Sequence, residues 1–484
     1  MMALSRFPHL FAAFGAIWLG GCVSAANTPI NEFARQDASV IQTMPDQAMG
    51  DDGTVVGLAF SGGGIRASAF SYGVLQQLQA TPVPGEPAGR TLLDSVRFVS
   101  GVSGGAVTAA YFGLKGESGY GDFRERFLTR DVEAKMRTSV ARPTNILRAI
   151  GGGVNDRSTF GRWLDENLFN GAHFADIDRP GRPTVWINAS DLYNRTPFIF
   201  NEETFGALCS DLNRLPLAEA VAASAAVPVV FAPIVLETYG GNCAYQEPAW
   251  VAAAEANPNA PTALRAFAGA LASYRDPDKL KYVKLVDGGV TDNFGLTGVA
   301  LARAASQTPY GPLSPKEAVR LKRMIYLVAD AGRTPQAEWG ETVKGPGLAE
   351  LVSAVTDTAI QNSGRDGYDA FRLTMDGWQK DLIAYRCALK PTEVKQLRGS
   401  LDGWNCRDVK FFIGTLNFDD VDPATRSRLN QVKTRLTLPR DQVDLTIAAG
   451  REALRNDPTF GSALASFDGV VADARPAEGA GSPQ

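Results

Sequence analysis

Histidine is almost absent from this chain of 484 residues, which contains only two, His9 and His173. Cysteine is also scarce, and its five copies include no Cys-x-x-Cys pair. Zinc sites in proteins are usually built from three or four histidine, cysteine or carboxylate ligands at characteristic spacings. We therefore expect no metal and no other cofactor.

The sequence also lacks any long run of lysine or arginine. Its 48 basic residues are matched by 52 acidic ones, which gives a formal net charge of -4. Proteins that bind a phosphate backbone usually concentrate positive charge on one face. We expect no nucleic-acid partner. With 45% hydrophobic residues, a chain of this length can bury a substantial core.

One apolar run stands out, at the N-terminus, where Arg6 precedes residues 7–19. The run is too short for a stable transmembrane helix and predicts a signal peptide over residues 1–21. It ends in Leu19-Gly20-Gly21-Cys22, which resembles the bacterial lipobox, and the resemblance implies an acylated Cys22 as the first mature residue. An ordinary secretory signal with an incidental cysteine is the alternative. Two or more acyl chains anchor a protein stably to a membrane.

Residues 22–53 are polar and without periodicity, and we predict that they form a lipidated tether. Position 23 is valine and not aspartate, which favours the outer membrane of the bacterial cell envelope. Export also places the remaining cysteines in an oxidising compartment, where an even set can form disulfides. We predict the sequential pairs Cys209–Cys243 and Cys387–Cys406, which close the shortest loops. Four buried thiols are the alternative.

Two glycine-rich segments follow apolar runs that predict buried strands. Gly62-Gly63-Gly64-Ile65-Arg66-Ala67 comes after residues 55–60, and Gly101-Val102-Ser103-Gly104-Gly105 comes after residues 96–100. The second fits G-x-S-x-G, in which a serine occupies a sharp turn from strand to helix. Glycine leaves backbone N–H groups free to face a substrate, so we predict Gly62, Gly63 and Gly64 as oxyanion donors. Ser103 is the predicted nucleophile.

A serine hydroxyl needs a base within hydrogen-bond reach. Residues 283–286 predict a strand that ends at Asp287-Gly288-Gly289, and Asp287 is the predicted base. Asp292 is a rival base. A triad with His173 is another possibility, although the histidine would then precede its acidic partner in the chain, unlike the usual order. Asp191, after a predicted strand over residues 185–189, is expected to be a structural cap.

The order Gly-Gly-Gly-x-Arg, G-x-S-x-G and Asp-Gly-Gly resembles the patatin-like phospholipases over residues 55–332. Residues 223–228 and 231–233 support the resemblance. It implies a metal-free Ser103–Asp287 dyad on an α/β fold, a three-layer α/β/α sandwich with a mostly parallel sheet. One departure is Gly295, where many patatins have proline, and this leaves the shape of that loop open.

The resemblance implies a catalytic core over residues 54–332. Residues 333–467 are expected to complete or extend it, and residues 468–484 to form a disordered tail. For Arg66 two roles are open, holding the glycine turn together or binding a substrate phosphate. The implied function is that of a membrane-tethered lipid acyl hydrolase of the phospholipase A or lysophospholipase type. A neutral-lipid esterase or lipase, or a non-catalytic lipid-binding protein, are the alternatives.

Overall fold

A computed structural model of the protein describes residues 27–34, 49–50, 52–85, 89–137, 145, 148, 152–241, 243–334, 338–341 and 343–468. These residues contain one eight-stranded sheet. Its strands are β1 (Thr54–Phe60), β2 (Val96–Val102), β3 (Thr184–Asp191), β4 (Thr196–Ile199), β5 (Ile234–Glu237), β6 (Tyr282–Asp287), β7 (Arg323–Ala329) and β8 (Lys410–Leu416).

The α-helices that flank the sheet vary from a single turn to 41 residues. They are α1 (Gly64–Gln79), α2 (Gly104–Lys115), α3 (Phe160–Leu164), α4 (Glu202–Ala207), α5 (Leu217–Ser224), α6 (Ala249–Ala256), α7 (Thr262–Arg275), α8 (Gly289–Asp292), α9 (Thr297–Ala305), α10 (Pro315–Arg320), α11 (Leu348–Ala388), α12 (Pro391–Arg398), α13 (Pro423–Asn430), α14 (Arg440–Asn456) and α15 (Pro458–Ala465). Short 3-10 turns and two π-helical turns, Arg124–Leu128 and Asp165–Phe169, connect them.

The sheet is mixed but mostly parallel, in the order β5-β6-β3-β2-β1-β7-β8 with β4 paired to β3. Strands β3, β2, β1, β7 and β8 run parallel to one another. Strands β4 and β6 are antiparallel to β3, and β5 is antiparallel to β6. The predicted α/β class with a mostly parallel central sheet is confirmed.

Strand β3 brings the ends of two other strands together. Its second half pairs on one edge with β4, from Asn188 to Asp191. The other edge pairs first with β2, up to Asn188 opposite Val102, and then with β6, where Ala189 is opposite Asp287. Since Asn188 and Ala189 are consecutive residues, the ends of β2 and β6 meet at one point of the sheet.

Side chains on the two faces of the sheet belong to two hydrophobic layers. Leu58 and Phe60 of β1 pack in the layer that contains α1, α2 and α14. Ala59, between them, belongs to the opposite layer with Phe371 and Trp378 of α11. This alternation follows from the two-residue period of a strand, and it produces a core on each side of the sheet.

The described N-terminal residues do not behave as the predicted tether. Ile30 N–H donates to Val235 O at 3.0 Å, and the Asn31 side chain accepts the Glu237 N–H at 2.8 Å. Both partners belong to β5, an outer strand of the sheet. An edge strand offers unpaired backbone groups, and a polar extended segment can cover them. Residues 27–34 therefore pack on the domain, although their composition predicts a linker.

The C-terminal part completes the sheet. Strand β8 pairs with β7 from Lys410 opposite Arg323 to Leu416 opposite Ala329. Helix α14 packs closely on α1. The approach is so close that a Cβ at Gly73 would lie only 2.1 Å from Ile447 O, and one at Gly450 only 2.1 Å from Phe70 O. Glycine at both positions lets the two helix backbones touch.

Two disulfides join the four cysteines of the described region in sequential order. Cys209 is bonded to Cys243 and Cys387 to Cys406, with Cα–Cα distances of 5.6 and 4.9 Å. The predicted signal peptide, Cys22 and residues 469–484 of the predicted tail lie outside the described residues. Among the helices that the structure describes, none combines the length and apolarity needed to span a bilayer.

Candidate active site

Ser103 occupies the turn between β2 and α2 with unusual backbone angles, φ 51° and ψ -119°. Few residues other than glycine adopt a positive φ, and such strained conformations often occur at functional sites. The side chain is largely buried, with 7% of the residue exposed. The turn places the Ser103 hydroxyl at the N-terminus of α2, where the partial positive charge of the helix favours a developing anion.

The glycines around Ser103 allow three backbone segments to touch. A Cβ at Gly104 would lie 2.1 Å from Gly64 O, one at Gly105 would lie 2.3 Å from Phe60 O, and one at Gly101 would lie 2.7 Å from Ala106 Cα. No real Cβ atom fits at such distances. The two glycines of the G-x-S-x-G pattern, Gly101 and Gly105, and the additional Gly104 within it are therefore required by packing, since strand, helix and glycine turn meet here without side chains between them.

Asp287, the last residue of β6, lies beside Ser103 and is 3% exposed. Its Oδ1 accepts the Gly289 N–H at 2.9 Å, and the Ser103 side chain is close enough to influence its ionisation. Burial raises the pKa of Asp287 to about 6, although the hydrogen bond from Gly289 and the Ser103 side chain lower it. A carboxylate with this pKa is a better proton acceptor than an exposed aspartate, yet it remains ionised at neutral pH.

The glycine turn after β1 adjoins Ser103, because a Cβ at Gly62 would lie 3.4 Å from Ser103 Cβ. Of the three predicted oxyanion donors, Gly62 has its N–H engaged, since it donates to Asn293 O at 3.2 Å. Gly63 and Gly64, with φ of 144° and 62°, have backbone N–H groups without an acceptor in the part of the chain that the structure describes. These two N–H groups are the available donors.

Gly295, the departure from the patatin pattern, has a backbone that proline cannot adopt. Its φ is 69°, and its N–H donates to Asp292 Oδ1 at 2.9 Å. Proline has a φ near -65° and no N–H. The Gly295 carbonyl accepts the Ser100 hydroxyl at 2.7 Å, so the loop is fixed to β2 just before the Ser103 turn.

Arg66 is buried in the structure, with 4% exposed. Its Nε donates to Ala331 O at 2.8 Å, and its Nη1 donates to Val432 O at 2.9 Å and to Thr434 Oγ1 at 2.8 Å. Burial lowers its pKa to about 9, with a further contribution from Arg333. Its Nε and Nη1 donors hold two distant chain segments beside the glycine turn, which favours the structural role of Arg66 over the binding of a substrate phosphate.

The two other aspartates considered from the sequence have structural partners. Asp292 accepts the backbone N–H groups of Gly295 and Thr297, at 2.9 and 2.7 Å. Asp191 accepts the Tyr274 hydroxyl at 2.9 Å and the Tyr193 N–H at 2.8 Å. Both carboxylates therefore cap turns at the edge of the site.

His173 lies at the start of a 3-10 turn, Phe174–Asp176. Its backbone N–H donates to Asp176 Oδ2 at 3.0 Å. It also forms an isolated bridge with Pro216. The structure thus brings together Ser103, Asp287 and the glycine turn and assigns His173 to a surface connection. No group of three or more residues able to hold a metal occurs among the described residues.

Sequence reasoning gave no role to two parts of this site. One is Ser224, whose hydroxyl accepts the Ser103 N–H at 2.8 Å. The other is the loop before α14, where Arg435 O accepts the Ile65 N–H at 2.9 Å. The conspicuous small-residue run at 223–228 is the available signal for Ser224, whereas nothing in residues 432–435 distinguishes that loop from others.

The fold and this geometry agree with the comparison of the chain with known families. A family model described as patatin-like phospholipase matches residues 58–300, half of the chain. The chain belongs to the patatin-like phospholipase family. No curated protein sequence matches it.

Two solved structures show distant similarity. Human GIVD cytosolic phospholipase A2 has 15% sequence identity and a TM-score of 0.39, over 88% of this chain and 64% of that one. The ExoU–SpcU complex of the Pseudomonas aeruginosa type III secretion system has 14% identity and a TM-score of 0.25, over 83% and 67%. This chain therefore spans just under two thirds of the length of the cytosolic phospholipase. Both similarities are too distant to assign an activity.

Replacing Arg66 with alanine is expected to reduce hydrolysis of a phospholipid and of a p-nitrophenyl acyl ester by the same factor. The reason is that Arg66 supports the glycine turn, which both substrates require. Loss of its buried hydrogen bonds should also lower the free energy of unfolding by about 3 kcal/mol. Chemical denaturation measures the change in the free energy of unfolding, and kcat/KM for each substrate measures the loss of hydrolysis. A loss for the phospholipid at least tenfold larger than for the neutral ester would restore the phosphate-binding role.

Proposed function

We propose that this protein is a serine lipid acyl hydrolase of the phospholipase A or lysophospholipase type, with Ser103 as nucleophile and Asp287 as general base. One observation carries the proposal. In a member of the patatin-like phospholipase family, a serine on a strained turn lies beside a buried carboxylate with a raised pKa. A perturbed carboxylate beside a candidate nucleophile is typical of a catalytic site.

In the first half of the reaction, Ser103 Oγ attacks the carbonyl carbon of the acyl ester and Asp287 takes the hydroxyl proton. The resulting oxyanion faces the N–H groups of Gly63 and Gly64 and the N-terminus of α2. Each such donor typically contributes about 3 kcal/mol to lowering the barrier. When the ester C–O bond breaks, Asp287 returns the proton to the leaving alcohol oxygen, and the acyl group stays on Ser103.

Water completes the cycle. It attacks the acyl-serine carbonyl while Asp287 again takes a proton, and the oxyanion forms at the same two N–H groups. Collapse of this second intermediate breaks the bond to Ser103 Oγ, which recovers the proton from Asp287. The products are a free fatty acid and the original site. Every proton transfer is made by a single carboxylate, so the mechanism does not require His173.

Exposed aliphatic side chains on two segments that touch the Asp287 turn support a lipid substrate. Helix α11 contacts this turn through Ser363, whose hydroxyl donates to Gly289 O at 2.9 Å. Towards its N-terminus, α11 carries three exposed side chains, Leu351, Val352 and Val355. Exposed apolar groups near a site are typical of contact with lipid or protein.

The second segment follows α5. Ala226 O accepts the Asp287 N–H at 2.9 Å, and three residues later Val229 and Val230 are about half exposed, at 49% and 47%. Val229 also has a φ of 72°, which is rare and strained for a β-branched residue. Two half-exposed valines beside the Asp287 turn are suited to contact with an acyl chain.

A neutral-lipid esterase is the second candidate, and the burial of Arg66 favours it. The cation expected to bind a phosphate donates instead to Ala331 O, Val432 O and Thr434. The acyl-transfer machinery is the same for neutral and phosphate-bearing esters. A panel of phosphatidylcholine, lysophosphatidylcholine, triacylglycerol and p-nitrophenyl esters separates the two.

We also propose that the protein is held at the outer membrane of a bacterial cell by acyl chains on Cys22. The support is the Leu19-Gly20-Gly21-Cys22 sequence after an apolar run that is too short to span a bilayer. Anchoring would keep the site near its substrate and raise the local lipid concentration.

Ser103→Ala and Asp287→Asn are each expected to lower acyl-ester hydrolysis by about 10⁴-fold or more, because they remove the nucleophile and its base. Covalent labelling by a fluorophosphonate probe should be abolished in Ser103→Ala, which lacks the labelled oxygen, and strongly slowed in Asp287→Asn, which lacks the base that activates it. His173→Ala is the matched control and should retain most of the activity. A His173→Ala protein with an unchanged melting temperature and as little activity as Ser103→Ala would replace the dyad with a triad.

The activity should fall as the pH drops through about 6, since the base must be ionised and the pKa of Asp287 is about 6. Below that pH, kcat/KM is expected to decrease about tenfold per unit. Histidine side chains generally titrate in the same range, so the control is His173→Gln, which should keep this acidic limb. If His173→Gln flattened the limb, the titrating group would not be Asp287.

Cys22→Ser is expected to eliminate incorporation of radiolabelled palmitate during growth and to leave either precursor or a species without lipid. Ser24→Ala, two residues away, is the control and should be labelled like the wild type. Equal labelling of Cys22→Ser and wild type would rule out the lipid anchor and leave the hydrolase proposal intact.

A further inference from the structure

The C-terminal end of α5 contacts both catalytic turns. The hydroxyl of Ser224 accepts the Ser103 N–H at 2.8 Å, and the Ser224 carbonyl accepts the Gly288 N–H at 3.1 Å. Two residues further on, Ala226 O accepts the Asp287 N–H at 2.9 Å. A short stretch of backbone therefore fixes the positions of Ser103 and Asp287 relative to each other.

The Ser224 hydroxyl is used as acceptor and as donor. While it accepts the Ser103 N–H, it donates to Asn188 O at 2.5 Å. Asn188 is the residue of β3 that lies opposite Val102, the residue before Ser103. Ser224 is fully buried, so water cannot take over either hydrogen bond. Without the hydroxyl, one backbone N–H and one carbonyl would be left without partners in the interior.

These contacts hold the backbone of Ser103 in an unfavourable conformation. With φ at 51° and ψ at -119°, Ser103 needs external contacts to keep its conformation. The N–H that Ser224 binds belongs to the strained residue itself. The same contact withholds this N–H from a substrate oxyanion, which leaves the donor role to Gly63 and Gly64.

We propose that Ser224 is a positioning residue that holds the Ser103 turn in its reactive conformation against Asp287. The inference deepens the proposed function and depends on it, because it assigns Ser224 to the same acyl transfer. Ser224 does not touch the reacting atoms. Its effect is exerted through the backbone N–H of Ser103 and the carbonyl of Asn188.

The test compares Ser224→Ala and Ser224→Cys with wild type. For Ser224→Ala, we expect kcat and the rate of fluorophosphonate labelling to fall by about 10- to 100-fold, as for a misplaced reactive group, while KM changes by less than about twofold. Cysteine has nearly the same volume but forms weaker hydrogen bonds, so Ser224→Cys should be folded and intermediate in kcat. If Ser224→Ala does not fold, the Ser224→Cys variant alone still tests the positioning role.

The pH profile provides a readout that loss of stability alone does not change. The Ser103 side chain lowers the pKa of Asp287. A looser Ser103 turn weakens this interaction, so the acidic limb of kcat should move to higher pH in both variants.

Ser210→Ala is the matched control. Like the Ser224 hydroxyl, the Ser210 hydroxyl is buried and both accepts and donates a hydrogen bond. It accepts from Asn31 Nδ2 at 3.0 Å and donates to Glu32 O at 2.9 Å. It lies where the N-terminal segment packs, away from both catalytic turns. We expect Ser210→Ala to lose thermal stability but to keep the kcat, KM and acidic limb of the wild type.

A folded Ser224→Ala or Ser224→Cys with the kcat and acidic limb of the wild type would overturn the positioning role and leave the hydrolase intact. So would a loss of kcat no larger than that of Ser210→Ala at an equal loss of melting temperature. If the wild type neither hydrolyses an acyl ester nor reacts with the probe, the proposed function fails and the positioning role fails with it.

Discussion

The site depends on the shared edge of β3, where β2 and β6 meet end to end. Because Asn188 is opposite Val102 and Ala189 is opposite Asp287, a one-residue step on β3 sets the distance between Ser103 and Asp287. A slip of one residue in either pairing would turn the side chains of that strand to the opposite face. The register of the sheet thus determines whether two residues far apart in sequence lie side by side.

A second constraint is the absence of side chains where the glycine turn, β1 and α2 meet. Gly104 and Gly105 approach Gly64 O and Phe60 O so closely that any larger residue would push the helix away from the sheet. The same closeness places the N–H groups of Gly63 and Gly64 beside Ser103. If the proposed chemistry holds, packing and catalysis require glycine at the same positions.

The sequence was informative where chemistry depends on local backbone shape and uninformative where it depends on long-range contacts. The turns at Ser103 and Asp287 could be predicted, because glycines and apolar runs specify them locally. The engagement of Gly62 by Asn293 and the burial of Arg66 could not, since their partners come from distant parts of the chain. Residues 27–34 were misjudged for a similar reason, because polar residues that cover a sheet edge look like a linker.

The contacts of Arg66 show that the part of the chain that packs together extends beyond the part that matches the family. The family match ends at residue 300, but the glycine turn is held by Val432 O, Thr434 and Arg435 O, and β8 covers the edge of β7. A fragment cut near residue 332 would keep every motif residue and still leave a buried guanidinium without two of its three acceptors. We therefore expect the unit that folds together to be much longer than the stretch by which the family is recognised.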